Sequence, residues 1–381
     1  MVELAGQCLL DWLGVTLAGS AEPAARIALA AALAEHEGDS GATVLGTQVR
    51  LPASAAALVN GTASHALDYD DVNWAMTGHP TVAVLGALLA LAETRQASGA
   101  EVLTAFVAGY ETECRVGNAI GPGPYQRGFH ATGTVGTFGA AAACARLLSL
   151  DGPTTATALG LAATQAAGLK AMFGTMAKPL HAGKAGANGL LAARLAAGGF
   201  VGRPDAIEAE QGFAEVSGAS LDSTPQEPPR GWFLRDNLFK HHAACYETHS
   251  AIEGLLRVRG SFRPDDVDAV TIHATPMQLR MCAIPEPQTG LEVKFSLRHL
   301  AAMAVEGRDT AAPGAFDDKC ALDPDLIALR DRVQVLDDGA TGPTRVSVSL
   351  RDGRQLEAAV DTHQPASDID GQRVALRTKF D

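Results

Sequence analysis

Residues 133–148 read GTVGTFGAAAACARLL. Apolar side chains recur there at i, i+3 and i+4, and its valine and threonines do not alternate with polar residues as a half-buried strand requires, so the stretch predicts a helix. Its glycines and alanines suit a helix against which other backbones pack closely. The same spacing marks residues 4–18, 24–37, 54–66, 81–95, 101–116, 154–169, 179–197 and 248–257. Turn signals separate these segments, among them GPGP at 121–124 and DGP at 151–153, while 223–229, with its Thr-Pro and Pro-Pro pairs, reads as a loop.

After about residue 260 the period changes. VDAVTIH at 267–273 and RVSVSL at 345–350 alternate as strands do, and Arg351-Asp352-Gly353 turns the second into 355–360. Helices are expected at 293–305 and 324–332, and a last one begins within 371–380. The fold class is therefore mainly α. A large helical domain spans residues 1–258, with a short C-terminal return around 366–381, and a smaller α+β domain occupies 259–365.

The length of 381 residues exceeds the usual single core and agrees with two domains. Although 47% of the residues are hydrophobic, no apolar run reaches the roughly 18 residues of a membrane span, and no signal-like segment opens the chain, so the expectation is a soluble, cytoplasmic protein. Cys8, Cys114, Cys144, Cys245, Cys282 and Cys320 form no C-x-x-C pair; they read as reduced thiols, with Cys114 and Cys144 as small core residues. A net charge of −13 argues against nucleic acid or an anionic membrane as partner. It leaves room for a small anion in a locally positive pocket.

Four segments bring His, Lys and Asp next to glycine-rich turns. In the first, NGTASHALDYDD (60–71) is followed by TGHP (77–80), which would let Asp68 orient and charge the imidazole of His79. The same residues also read as capping aspartates and a turn histidine, or as a metal set of His65, Asp68, Asp70 and His79. In the second, Arg127 and His130 precede the long helix at 133–148, whose positive end would attract a carboxylate. In the third, Lys178 lies before Pro179, a residue favoured at a first helical position, and this predicts a lysine at an N-cap, where the dipole draws its pKa down. His181 follows one turn on. In the fourth, His249 opens the helix at 248–257, and a packing or capping histidine is the plainer reading of it. No P-loop, no G-x-G-x-x-G after a strand and no G-x-S-x-G elbow is present.

With those residues in hand the chain resembles the MmgE/PrpD family of 2-methylcitrate dehydratases, cis-aconitate decarboxylases and iminodisuccinate epimerases. The segments that carry the likeness are VNGTASHALDYDD with GHP, RGFHATGTVGTFGAAAA, AKPLHAGKAGANG, QGFAEV and ETHSAIEG, in this order along nearly the whole chain. The resemblance implies a homodimer whose helical domain and α+β lid enclose an active site, with no metal and no organic cofactor. It implies Asp68, His79, His130, Lys178 and His249 as active-site residues; Arg127, His181 and His299 are the further substrate contacts expected from the residues themselves. In the decarboxylase-like members a lid tyrosine faces the substrate, whereas the matching stretch KFSLRH (294–299) offers His299. The chain is also shorter at both ends than the family pattern.

Such a set suits proton transfer at carbon next to a carboxylate, where developing negative charge needs cations and helix ends. His79 or His130 is the expected proton carrier, Asp68 the orienter of His79, and Lys178, Arg127 and His249 the carboxylate holders. The expected activity is that of a lyase, a dehydratase or decarboxylase, on a small di- or tricarboxylate. An epimerase of a dicarboxylate is the second reading, and a non-catalytic carboxylate-binding scaffold the third.

Overall fold

The computed structural model describes residues 1–36, 41–221, 227–228, 230–337, 339 and 342–381. Glu37, expected at the end of a helix, and most of the expected loop at 223–229 lie outside the described residues. The described chain forms two compact units, residues 1–239 with 365–381 and residues 240–364. The division therefore falls ahead of residue 258, because the segment at 248–257 packs on the sheet and helices that follow it.

Unit 1 is helical. Its elements are α1 (Val2–Gly19), α2 (Pro23–Glu35), α3 (Ala53–Ala66), α4 (Pro80–Arg95), α5 (Gly99–Ile120), α6 (Gly123–Arg127), α7 (Ala131–Leu147), α8 (Gly152–Ala163), α9 (Ala177–Ala197) and α10 (Phe213–Ser217). The short antiparallel pair β1 (Ala42–Thr43) and β2 (Arg50–Leu51), which the sequence did not suggest, precedes α3. At its centre α3, α4, α7 and α9 pack on one another, and α5 and α1 cover them. Nearly every residue of α7 is buried, so it lacks the polar face of a surface helix.

Small residues set these distances. A Cβ on Gly61 of α3 would lie 2.8 Å from the Cα of Gly183 on α9, and one on Gly183 would lie 2.2 Å from the carbonyl oxygen of Leu58. A Cβ on Gly189 would meet the backbone of α7 at 2.7 Å. Such contacts lie inside van der Waals distance, so the α3, α7 and α9 backbones approach only where no side chain intervenes.

Unit 2 contains α11 (His249–Val258), β3 (Val267–Ala274), α12 (Pro276–Met281), α13 (Gly290–Val293), α14 (Leu297–Glu306), α15 (Asp318–Ala321), α16 (Pro324–Arg330), β4 (Val333–Asp337), β5 (Thr344–Leu350) and β6 (Gln355–Val360). The sheet runs β4-β3-β5-β6. Strand β4 pairs parallel to β3 with Val333 opposite Val270, and β5 is antiparallel to both β3 and β6, with Val348 opposite Val270 and Glu357 opposite Ser347. The helix expected at 293–305 is broken, because the Ser296 side chain accepts from the His299 N–H as an N-cap and starts α14 at Leu297. α17 (Ile369–Phe380) returns to unit 1 and packs on α1.

All six cysteines are free thiols, with Cys114 and Cys144 fully buried. Among the described residues no helix is long and apolar enough to cross a membrane.

Candidate active site

Three helix N-termini carry the residues that converge in unit 1. His79 is the N-cap of α4, with Pro80 behind it, and His130 is the N-cap of α7. Lys178 lies in the first turn of α9, whose N-cap is Met176. None of the three N-cap side chains bonds its own helix, so the positive ends of these helices are not neutralised by a conventional cap. The expected N-cap position of Lys178 is corrected by one turn geometry: Ala177 is already helical, and the proline falls inside the first turn, where its missing N–H has no helical partner to lose.

Local contacts then fix each side chain. The His79 N–H donates to Thr132 Oγ1 at 3.1 Å, tying the start of α4 to the first turn of α7. A Cβ at Gly78 would crowd the Thr132 N–H at 3.0 Å. The expected helix 154–169 ends at Ala163, because residues 168–169 run extended beside Phe129 and His130; the His130 N–H donates to the Gly168 carbonyl at 2.9 Å, and Gly168 adopts a φ of 142°.

At the end of α3 the chain turns through Asp68, at a φ of 53°, which aspartate tolerates better than most residues. Asp68 and Asp70 both point into the cluster. Lys178 Nζ donates to Asp68 Oδ1 at 2.6 Å, a buried ion pair. Asp70 receives two imidazoles, His65 Nδ1 at 2.9 Å and His79 Nδ1 at 2.8 Å. The Nε2 of His79 lies 3.6 Å from Asp68 Oδ1. Asp70, not Asp68, is thus the closer partner of His79, and Asp68 serves chiefly Lys178. This contact suits the carboxylate-holding role expected of Lys178.

The remaining imidazoles close the group. His65 and His79 meet edge to face at 4.5 Å between centroids, and His65 stacks on His130 at 5.7 Å. His130 Nδ1 and His181 Nδ1 are 3.0 Å apart. Phe173 presents its ring to His130 at 5.0 Å and to the Lys178 ammonium at 5.4 Å, an apolar wall beside the charges.

The electrostatics divide the group into a neutral and a charged part. Burial pulls His65 down to about 4 and outweighs the nearby Asp70. Burial also holds His130 well below the imidazole range, helped by His65 and Lys178, and it lowers His181, with Lys178 adding to the effect. Burial alone would push the Asp70 carboxyl up; the two imidazoles overcome it and hold Asp70 well below the carboxylate range. An ionised carboxylate only accepts, so His65 turns an Nδ1–H toward Asp70 and keeps a lone pair on Nε2, while His79 brings its Nδ1 to 2.8 Å from the same carboxylate.

His65, Asp68, Asp70 and His79 offer metal-ligand atoms within 4.8 Å of one another. The Lys178 ammonium at 2.6 Å from Asp68 already supplies the positive charge there and opposes a second cation.

The other residues singled out in the sequence lie elsewhere. Arg127 is exposed and packs against Gly218 at the end of α10. His249 is the first residue of α11 in unit 2, buried between His242 and Tyr246 with both ring centroids at 4.9 Å; burial, then His242 and Lys240, hold it well below the imidazole range. His299 is 0% exposed in unit 2, with its Nε2 3.1 Å from the Cys320 carbonyl and no hydrogen-bond partner on its Nδ1. The sequence reading undervalued His65 and Asp70; their five-residue spacing across a helix end was the available signal.

Residues 1–225 match the MmgE/PrpD N-terminal domain and residues 242–380 the MmgE/PrpD C-terminal domain. The chain is 30% identical to the cis-aconitate decarboxylase of Homo sapiens over 383 aligned positions, covering 95% of this chain and 79% of that protein. It is 28% identical to the cis-aconitate decarboxylase of Mus musculus, over 91% of this chain and 75% of that one. Against the cis-aconitate decarboxylase-like protein oryM of Aspergillus oryzae it is 32% identical over 72% of this chain and 60% of that one. The chain belongs to the MmgE/PrpD family.

Proposed function

We propose that this protein is a cofactor-independent lyase that decarboxylates a small unsaturated tricarboxylate of the cis-aconitate type. The observation that carries this is the joining of one buried ammonium, Lys178, with four imidazoles and two carboxylates at the uncapped ends of α4, α7 and α9. The curated relatives that bear the decarboxylase name support the substrate class.

The chemistry balances with the groups at hand. The C–CO2 bond breaks and its electron pair forms a new C=C bond, while the old double bond picks up a proton at its far carbon, which lies next to a second carboxylate. One proton goes in and one CO2 leaves. A partner for the remaining carboxylates is needed throughout, and Lys178 with the positive ends of α7 and α9 meets that need. His79 or His130 delivers the proton. Asp70 stabilises His79 in its charged form and holds its ring direction. The homodimer implied by the family resemblance belongs to the same reading and is checked by light scattering.

The test is incubation with cis-aconitate, citrate, 2-methylcitrate and iminodisuccinate in deuterated buffer, followed by proton NMR. Release of CO2 from cis-aconitate with one deuterium on the product is the expected result. Solvent exchange without net conversion would point to an epimerase, and inertness toward all four acids would contradict the proposal.

A further inference from the structure

The loop that presents Asp68 and Asp70 has a second side. Asp68 and Asp70 reach Lys178, His65 and His79, whereas the alternate positions, Tyr69 and Asp71, engage other groups of unit 1. The Tyr69 carbonyl accepts a hydrogen bond from Lys379 Nζ at 2.7 Å. The same ammonium lies 2.6 Å from Asp11 Oδ1 on α1 and 3.9 Å from the centroid of the Tyr69 ring. The Lys379 side chain is 7% exposed and that of Asp11 1%, so the contact is buried. Asp71 accepts from the N–H and the hydroxyl of Thr81 on α4.

This arrangement does something specific to the site. The Tyr69 carbonyl belongs to the peptide plane that joins Tyr69 to Asp70, so its direction sets the direction in which the Asp70 side chain leaves the backbone. Asp70 has to meet two imidazole nitrogens at 2.9 and 2.8 Å at once, which leaves little angular freedom. The left-handed turn at Asp68 is the kind of backbone that persists only where its surroundings hold it. The cation on α17 supplies that hold from the side opposite the reacting groups.

We propose that Lys379 is a positioning residue for the active site: by gripping the Tyr69 carbonyl and ring, and by neutralising buried Asp11, it locks the Asp68–Asp71 loop so that Asp70 orients His65 and His79. The inference rests on the proposed function only for its kinetic readout.

Lys379→Met leaves Asp11 buried without its cation, a cost that by itself threatens folding, so the double variant Asp11→Asn/Lys379→Met is made beside it. Kinetics on cis-aconitate are measured for the wild type and for both variants. In parallel, the ring signals of His65 and His79 are followed in protein carrying 15N-labelled histidine. The double variant is expected to fold, to keep KM within about threefold and to lose kcat by about 100-fold, the scale of a misplacement of roughly 1 Å. The His65 and His79 signals are expected to shift and broaden. Unaltered ring signals in the folded double variant, or an unaltered kcat, would overturn the proposal. A wild type that turns over no polycarboxylate would defeat the function reading, and the histidine signals would then decide the role of Lys379 alone.

Discussion

Replacing Asp70 by asparagine changes almost no volume and removes one charge. The carboxylate accepts from His65 Nδ1 at 2.9 Å and lies 2.8 Å from His79 Nδ1; Asp70 and His65 are buried, and the His79 side chain is 12% exposed. Asparagine has one accepting oxygen and one donating amide, so it serves one Nδ1–H and meets the other with a second donor. One imidazole must then flip its ring or move its proton to Nε2. A charge-assisted hydrogen bond is worth about 1.5–3 kcal/mol net. Losing one, together with the anionic support of an imidazolium on His79, raises the barrier by about 3–4 kcal/mol, or about 100- to 1,000-fold in kcat. The assay is CO2 release from cis-aconitate at saturating substrate, with circular dichroism to confirm that the variant is folded. A folded Asp70→Asn enzyme within about threefold of the wild-type kcat would refute the reasoning, because no other carboxylate approaches His79 Nδ1 as closely in the described contacts.

Three further outcomes follow from the same geometry. Burial and then Asp11 push Asp71 from an ordinary 3.8 up to about 7, so the folded state binds the proton more tightly, and stability falls as pH rises through that window by about 4 kcal/mol; Asp71→Asn should remove this slope in urea unfolding and exceed the wild type in stability at pH 8, and parallel pH profiles would contradict it. His65, His130 and His181 are held low chiefly by burial, so a bound tricarboxylate should draw in about one proton near pH 7 and bind more weakly as pH rises; calorimetry in buffers of different ionisation enthalpy reads this directly, and zero uptake would count against it. Gly183→Ala puts a methyl 2.2 Å from the Leu58 carbonyl and should destabilise by at least about 1–3 kcal/mol while shifting α9 and with it Lys178, whereas Gly152→Ala, with open space around it, should be silent in the same thermal melt.

Much of the fold was legible because its signals are local. The helical spacing and its Gly-Pro breaks located the long helices of unit 1, and the alternation at 267–273 and 345–350 located β3 and β5. What escaped depended on partners distant in sequence. VQVLD at 333–337 is short and becomes a strand by pairing parallel to β3, a contact no local pattern announces. Residues 164–169 carry helix-forming residues, yet the chain leaves the helix so that Gly168 can receive the His130 N–H. The same division holds in the site. His79, His130 and Lys178 stand out as polar residues at helix starts and Asp68 as one just past a helix end, and they meet in unit 1. Which carboxylate serves which base was invisible: Asp68 and Asp70 are two residues apart, and only the left-handed turn at Asp68 hands the lysine to one and the imidazoles to the other. The contact of His299 Nε2 with the Cys320 carbonyl was equally invisible, since a polar residue on a helix face carries no mark of its partner.

In the proposed reaction a tricarboxylate is held by Lys178 while an imidazole beside it hands a proton to carbon as CO2 departs. Lys178→Met keeps the length of the side chain and removes the charge, so the decisive measurement is the rate of CO2 release and of deuterium entry into the product for this variant and the wild type in deuterated buffer. One deuterium per CO2 is expected in the wild type, with a fall of about 100-fold or more in both rates for folded Lys178→Met. Equal rates in the two proteins, or CO2 release with no deuterium on carbon, would contradict it.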